Sequence, residues 1–328
     1  MKFGPVPVAD ALGMVLAHSV ATVTGRLRKG HILEADDLTQ LAASGHDVVT
    51  AAQLEQDDVD ENAAAARLAR AITGAGLRLS RAATGRVNVI ATGPGIARIA
   101  VDAINAVNAV NPMITVATVP QHHRVDPGSM VATIKIISYA VPEVDLQAAC
   151  NLGADLLGVS QPVFRTASLI ETELDDPPSP KGREAMQGRL DRMGLTLSPR
   201  IIVAHQVAAL GRAIAEAPGE VVFVLTASAT SDVADVGPAA LSAAGGRLIQ
   251  FGMPVDPGNL LFLGALGDRP VIGLPGCARS PALNGADWVL ERIICGLRLT
   301  PADFAAMGVG GLLKEIPTRP QPRADIDR

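Results

Sequence analysis

Arg279 stands where a basic side chain gains nothing from helix electrostatics. It lies in GLPGCARSP (residues 273–281), between the apolar run RPVI and the helical pattern ALNGADWVLERIICGL. A cation at the start of a helix opposes the helix dipole, so we expect an anion beside it, either a ligand or a carboxylate such as that of Asp287. The two glycines of the segment would let the backbone approach a ligand closely. The segment is therefore a candidate anion-binding turn.

Two other segments place small or polar residues after predicted strands. In TASATSDVADVGPAAL (residues 226–241) a helix begins near Asp235. The backbone N–H groups of that segment either bind an anion or belong to an ordinary connector capped by the aspartate. FGMPVDPGNLLFLG (residues 251–264) contains a proline-rich turn that either holds a ligand or forms a rigid hairpin. His205 follows the run RIIVA and either contacts a ligand or flanks a helix start. The candidate binding residues, beside Arg279 and His205, are Ala227, Ser228, Thr230, Ser231, Asp232, Pro257, Gly258, Asn259, Gly273, Pro275, Gly276, Cys277 and Ser280.

Cysteine usage argues against a disulfide framework and a metal centre. The three cysteines are Cys150, Cys277 and Cys295, an odd number with no two at metal-ligand spacing. Cys277 is either a nucleophile at a helix N-terminus or a small space-filling residue. Free thiols favour a reducing compartment, and the N-terminal MKFGPVPVADALG lacks the apolar run of a signal peptide. We therefore expect a cytoplasmic protein.

Composition narrows the class of protein. A length of 328 residues predicts two or three domains, and a hydrophobic fraction of 48% with 19% charged residues is typical of a globular chain with a large core. The net charge of −5 and the lack of a long basic run argue against nucleic-acid binding. No apolar stretch of about 18 residues is free of charges and helix breakers, which predicts no membrane span.

The elements that must position the candidate residues follow from hydrophobic periodicity. From about residue 164, the apolar runs ASLI, RIIVA, EVVFVLTAS, GRLIQFG, NLLFLGAL and RPVIGLP alternate with helical patterns. This alternation predicts an α/β domain with a mostly parallel sheet covered on both faces. Ligands of such folds bind beyond the carboxyl ends of the strands, which is where the three candidate segments are expected to lie.

The rest of the chain is more mixed. The segments DDVDENAAAARLARAITGAG and GPGIARIAVDAINAVNAVN are predicted helices, and GRVNVIA, MITVATV and MVATIKIISYAV are predicted strands. We predict a small mixed α+β region over residues 1–83, an α/β region over 84–163, the principal domain over 164–315, and a tail over 316–328 that wraps the surface and frays.

One long segment resembles a known family. ADVGPAALSAAGGRLIQFGMPVDPGNLLFLGALGDRPVIGLPGCARSP is similar to the core of the MoaB/Mog-type molybdopterin-binding fold, which molybdopterin adenylyltransferases and molybdopterin molybdotransferases share. The motifs GMPVDPGNLL, GLPGCARSP, MGVGGLL and RPQPR resemble more closely the N-terminal molybdopterin-binding domain of molybdenum cofactor cytidylyltransferase-like proteins. This resemblance covers the last third of the chain, and weaker pieces extend it over most of the rest. It implies a three-layer α/β/α domain, a pterin phosphate or its nucleotide as ligand, and a homo-oligomer.

Departures from the family pattern bear on catalysis. The adenylyltransferases have Gly-Gly-Thr-Gly where this chain has ASAT (residues 227–230), and commonly an arginine where Ala234 stands. Their aspartate after the second strand falls near His205, and the molybdotransferase lysine falls on Asn259. Asp235 matches the acidic catalytic position of the family, which this sequence retains.

The resemblance therefore implies three alternative functions. The first is a protein that binds molybdopterin or a molybdenum cofactor nucleotide during cofactor biosynthesis or delivery. The second is an active, Mg²⁺-dependent adenylyltransferase or molybdotransferase. The third is a non-catalytic scaffold for a cytidylyltransferase or a molybdoenzyme chaperone.

Overall fold

The chain is a mixed α/β protein whose strands form several separate sheets. A computed structural model describes residues 1–315, so the predicted tail at 316–328 lies outside the described residues. The described part of the chain divides into two compact units, the first comprising residues 1–93 and 97–159 and the second comprising residues 94–96 and 160–315. No helix of the described part is long and apolar enough to cross a membrane.

Short strands and helices make up the first unit. Its strands are β1 (Lys2–Pro7), β2 (Val15–Leu16), β3 (Val20–Thr22), β4 (Gly25–Leu27), β5 (Val48–Gln53), β6 (Asp58–Asp60), β7 (Leu77–Leu79), β8 (Arg86–Ala91), β9 (Gly95–Ile99), β10 (Ile114–Thr118), β11 (Arg124–Val125), β12 (Met130–Ile136), β13 (Ala140–Pro142) and β14 (Leu157–Ser160). Its helices are α1 (Ala35–Ala43), α2 (Glu61–Ile72), α3 (Val101–Val110) and α4 (Glu143–Cys150).

Helix α2 confirms the strongest helical prediction of this unit. Its alanine run has high helix propensity, and the Asp60 carboxylate caps the helix by accepting hydrogen bonds from the N–H groups of Asn62 and Ala63. Leu68 and Ile72 are fully buried on the face of α2 that packs against β8 and β12. The helix is therefore fixed by an apolar stripe and a side-chain cap.

The prediction of a single helix over GPGIARIAVDAINAVNAVN was wrong in its first part. This stretch contains β9 followed by α3. Strand β9 lies between β11 and β14, and Ile96 and Ile99 on it are buried. Pairing along both edges of the strand outweighs the helical spacing of its apolar residues.

Strands and helices alternate in the second unit, as predicted. Its strands are β15 (Thr166–Glu173), β16 (Thr196–Leu197), β17 (Ile201–Ala204), β18 (Val221–Leu225), β19 (Arg247–Phe251), β20 (Phe262–Leu266) and β21 (Arg269–Gly273). Its helices are α5 (Lys181–Arg192), α6 (Val207–Glu216), α7 (Val236–Ala243), α8 (Gly285–Ile294) and α9 (Pro301–Ala305), with 3₁₀ turns at Gly276–Arg279 and Leu313–Glu315.

These strands form one sheet in the order β16-β15-β18-β21-β20-β19. Strand β17 pairs with the second half of β15, on the side where β16 pairs with its first residues. Strand β20 runs antiparallel to both of its neighbours, and the other pairs are parallel. The prediction of a mostly parallel sheet is confirmed. Because β19 runs in the same direction as β21, the carboxyl ends of β15, β17, β18, β19 and β21 lie at one edge.

The two faces of the sheet bury different helices. Leu169 and Phe223 lie in the cluster that also contains apolar residues of α5 and α8. Their neighbours Ile170 and Val222 lie in the cluster that contains residues of α6 and α7. Successive residues of a strand thus point to opposite faces of the sheet, and both faces are buried. This explains why the sequences of the strands are continuous apolar runs and do not alternate between apolar and polar residues.

Candidate functional site

The loop between β18 and α7 presents backbone donors at the carboxyl edge of the sheet. The N–H group of Ala227 donates to Thr172 Oγ1 at 2.7 Å. For Ser228, Ala229 and Thr230, no hydrogen-bond partner of the N–H group lies within residues 1–315. Ser228 and Ala229 are exposed, so their donors are open to a ligand. Consecutive free N–H groups before a helix are donors suited to an anion.

Asp235 caps α7 at the end of this loop. Its Oδ1 accepts a hydrogen bond from the N–H of Val236 at 2.7 Å, and its Oδ2 accepts one from the N–H of Ser231 at 3.0 Å. These two hydrogen bonds, with a smaller electrostatic effect from His205, hold the pKa of the Asp235 carboxyl below its ordinary value. The carboxylate is therefore ionised and fixed at neutral pH.

Asp232 and Ser231 lie exposed on the same loop. The Oδ1 of Asp232 accepts a hydrogen bond from the N–H of Ala234 at 2.8 Å, which closes a local turn. The segment is thus a connector capped by an aspartate, as one of the two interpretations predicted. The turn and the cap follow directly after the free donors of residues 228–230.

We expect Asp235→Ala to lower the free energy of unfolding by about 1 kcal/mol at pH 7, the usual cost of losing an aspartate cap. The folded pKa of Asp235 lies below the value of 3.8 that an unfolded chain would have. The stabilisation is therefore complete above that value and is lost as the pH falls through the folded pKa. Urea denaturation of both proteins between pH 7 and pH 3 measures the difference, which should shrink with acid. Asp268→Ala, at an exposed turn, is the control; a difference between wild type and Asp235→Ala that is constant with pH contradicts the assignment.

His205 lies at the carboxyl end of β17, on the same edge. Its Nδ1 is 2.9 Å from the hydroxyl of Thr172, a residue only 1% exposed. The same hydroxyl accepts the N–H of Ala227. The Thr172 hydroxyl therefore links the end of β17 to the β18 loop.

The turn after β21 does not lead directly into helix α8, although the sequence predicted that Arg279 stands at the start of that helix. Residues Gly276–Arg279 form a 3₁₀ turn, and α8 starts only at Gly285, after the N-cap Asn284. Arg279 therefore does not head the helix, and Cys277, which is half-buried, does not lie at the N-terminus of α8. The asparagine side chain satisfies the first amides of the helix, so the intervening residues are free to form a separate turn.

Arg279 reaches across to the β18 loop. Its Nη2 donates to the backbone carbonyl of Thr226 at 2.6 Å. Among residues 1–315 it forms no ion pair, and the proposed partner Asp287 instead pairs with Arg189 at 2.6 Å. The alternative of a salt bridge to Asp287 was wrong. The half-buried guanidinium thus makes no ion pair within residues 1–315, and it bonds to the start of the loop that carries the free donors of residues 228–230.

The two glycines of this turn have different roles. A side chain at Gly273 would overlap the Phe262 ring, because the two residues are paired on β21 and β20. A Cβ at Gly276 would meet only Arg279 Nη1, at 3.5 Å, an ordinary contact. Gly273 thus makes room for the core, whereas Gly276 is exposed beside the guanidinium. Pro275 is buried between them.

We expect Gly273→Ala to destabilise the protein by about 1–3 kcal/mol, the usual cost of overpacking a core. Gly276→Ala is the matched control, and it should change stability by less than about 0.5 kcal/mol. Urea denaturation of the two variants beside the wild type makes the comparison. Equal effects of the two substitutions would contradict the roles given to the glycines.

The segment after β19 packs against the start of α8. Pro257 and Gly258 are buried, and a Cβ at Gly258 would lie 2.7 Å from the backbone nitrogen of Gly285. The N–H of Gly285 donates to the Pro257 carbonyl at 2.8 Å. Asn259 is exposed. The segment after β19 therefore holds the N-terminus of α8 through the bond from Gly285 to Pro257. The side chain of Asn259 in the same segment is open to solvent.

Sequence reasoning missed Arg189, on α5. Its guanidinium is 2% exposed and donates to Asp287 Oδ1 and to the backbone carbonyls of Ala278 and Ser280, both at 2.9 Å. A buried arginine therefore holds the backbone on both sides of Arg279. The spacing could have found it, since Arg189 shares an apolar helical stripe with Ala185 and Met186.

Glu171, on β15, is also buried at this edge. Its Oε2 accepts a hydrogen bond from Arg200 Nε at 2.7 Å, and its Oε1 has no hydrogen-bond partner within the described part of the chain. Burying a half-satisfied carboxylate is costly, and the arginine offsets that cost. No grouping of three or more His, Cys, Asp or Glu residues suited to a metal ion occurs within residues 1–315.

The chain matches a family model over its N-terminal part and has a distant structural likeness to a solved protein. Residues 5–53 match a family model described as "Domain of unknown function (DUF8806)". No curated protein matches the chain. The solved structure of the molybdopterin biosynthesis MoeA protein from Pyrococcus horikosii is 13% identical, covers 90% of this chain and 73% of its own, and superposes with a TM-score of 0.28. No residue role is transferred at that TM-score.

Proposed function

We propose that the protein binds molybdopterin, or a nucleotide form of the molybdenum cofactor, through its phosphate at the carboxyl edge of the sheet in the second unit. The observation that carries the proposal is the Arg279 guanidinium, which makes no ion pair within residues 1–315 and bonds to Thr226, at the start of the loop whose N–H groups at 228–230 are unpaired. Together these supply the donors and the positive charge that a phosphate needs. The pterin is proposed on the sequence resemblance, which includes GMPVDPGNLL and GLPGCARSP.

Each candidate residue has a distinct part in this binding. The amides of the exposed residues Ser228 and Ala229 would hold the phosphate oxygens, with the hydroxyl-bearing Thr230 buried behind them, and Arg279 would neutralise their charge. Ser231 and Asp232 line the exposed side of the loop. Asp235, whose ionised carboxylate is already occupied by two amides, would accept a hydroxyl of the ligand rather than approach the phosphate.

An adenylyl-transfer or molybdate-insertion reaction is the second candidate, and Asp235 is the observation that favours it. Mg²⁺ is commonly held by one or two carboxylates together with substrate phosphates. The ionised Asp235 fits one such ligand, and the remaining ligands would come from the substrate and from water, because residues 1–315 provide no three-ligand cluster. When bound, the ion would neutralise phosphate charge. The role of Asp235 would be to hold it at the head of α7.

Isothermal titration calorimetry and native mass spectrometry with molybdopterin and with its adenylated form test binding. We expect at least one of the two ligands to bind at one site per chain. No binding of either ligand by both methods would contradict the proposal.

The same two ligands separate binding from catalysis. Consumption of ATP with molybdopterin, or release of AMP from the adenylated form with molybdate, that is lost in Asp235→Asn would support the enzyme. Binding without turnover would support a carrier that delivers its ligand to another protein, such as a cytidylyltransferase or a molybdoenzyme chaperone.

A further inference from the structure

An apolar groove lies between β17, the outer strand on one side of the large sheet, and α6, and none of the candidate ligand-binding residues lines it. Ile201 and Val203 of β17 and Ala209 and Ala213 of α6 line a cavity of about 380 Å³. Within the described residues β17 pairs with β15 and with no other strand. The groove is therefore bordered by a strand whose second edge is open.

The two edges of this sheet are built differently. The opposite edge strand, β19 (RLIQF), carries Arg247 and Gln250 and has a register shift between Leu248 and Gln250. Charges and bulges of this kind prevent edge-to-edge pairing. Strand β17 (IIVA) itself has neither a charge nor a proline, its isoleucines and valine are half-buried, and Pro199 and Arg200 precede it in the break that separates it from β16. An apolar, regular edge of this kind is suited to a partner.

Two charges identify which partner fits. Arg212 and Glu216 lie four residues apart on α6, so they share one face of the helix, and both line the groove. Both are exposed, and neither side chain has an ion-pair or hydrogen-bond partner within residues 1–315. A two-fold axis that sets α6 antiparallel to a second α6 places Arg212 opposite Glu216 of the partner subunit, and Glu216 opposite Arg212 of the partner subunit. The face is thus complementary to itself.

We propose that a second copy of this chain docks on the β17–α6 face in a two-fold symmetric dimer. The open edges of the two β17 strands adjoin, and the apolar groove of each copy is covered by the other. Two reciprocal Arg212–Glu216 pairs fix the register. This interface goes beyond the proposed function, and it does not depend on the identity of the ligand.

Charge reversal on the full 328-residue chain tests the interface. The wild type is expected to be a dimer at micromolar concentration by sedimentation velocity. Arg212→Glu and Glu216→Arg each create like-charge contacts twice across the axis, so each should raise the dimer dissociation constant at least about tenfold. The double variant Arg212→Glu/Glu216→Arg restores opposite charges and should return to within about threefold of the wild type.

Mixing the two single variants makes the test sharper. A chain with two glutamates at these positions complements a chain with two arginines, so an equimolar mixture should form heterodimers that neither variant forms alone. Glu184→Arg, an exposed charge reversal on α5, is the matched control and should leave the dimer unchanged. A monomeric wild type, or single variants that dimerise like the wild type, would overturn the proposal.

Discussion

Replacing Arg189 with methionine is expected to lower the free energy of unfolding by about 3–5 kcal/mol. The side chains of Arg189 and Asp287 are 2% and 5% exposed, and their nearest N···O distance is 2.6 Å. Methionine keeps much of the packing volume but removes the charge, which leaves a buried carboxylate without its cation. The carbonyls of Ala278 and Ser280 also lose their donors. These combined losses place the change among the largest that a single substitution produces.

Arg192→Met is the matched control, since it makes the same chemical change on the same helix at an exposed position. It should change stability by less than about 0.5 kcal/mol. The variant Arg189→Met/Asp287→Asn removes both charges and should recover part of the loss, because asparagine is neutral and still accepts at the start of α8. Urea denaturation of the four proteins gives the values. An Arg189→Met variant as stable as Arg192→Met would refute the role of the buried pair.

The alternation of strands and helices in the second unit could be predicted from the sequence for a physical reason. Strands buried on both faces contain apolar residues at every position, and EVVFVLTAS and RPVIGLP are such runs. The helices between them show their own periodicity. Strand β9 could not be predicted in this way, because its conformation depends on the two strands that pair with it.

The start of α8 could have been predicted more closely. Asn284 and Asp287 form a reciprocal cap in which each side chain accepts a backbone N–H near the other residue. The pair is visible in the sequence as N-G-A-D. The apolar pattern that starts at Ala282 predicted a helix that begins too early. Arg279 was therefore expected next to the positive end of the helix dipole, whereas α8 begins six residues later, at Gly285.

The residues of the site divide according to whether their role is local or tertiary. The cap at Asp235 was predictable, since an aspartate before a helical pattern accepts the first amides from its own neighbourhood. The role of Gly273 was not, because it depends on Phe262, which lies opposite through antiparallel pairing. The bond from Arg279 to Thr226 joins residues 53 positions apart. Contacts of that separation are fixed only once the strand order is known.

Replacing Arg279 with glutamine is expected to weaken the binding of molybdopterin or its adenylated form by about 10- to 100-fold. A charge-assisted hydrogen bond contributes about 1.5–3 kcal/mol, and glutamine removes the charge. Stability should change little, because Arg279 is half-buried and makes one hydrogen bond within the described residues. Titration calorimetry at two salt concentrations measures the effect. The wild type should lose affinity with salt more steeply than the variant, since salt screens the attraction between the guanidinium and the phosphate.

Arg165→Gln is the control for net charge, because Arg165 is exposed just before β15 begins, at the opposite end of the strand from the proposed site. It should leave affinity within about twofold of the wild type.

Arg279→Lys separates charge from geometry: lysine restores the charge but not the planar donor fork, so an intermediate affinity is expected. If Arg279→Gln and Arg165→Gln bind alike, the phosphate does not lie at the turn after β21. If Arg279→Lys binds as weakly as Arg279→Gln, the paired donors of the guanidinium contribute more to the affinity than its charge does.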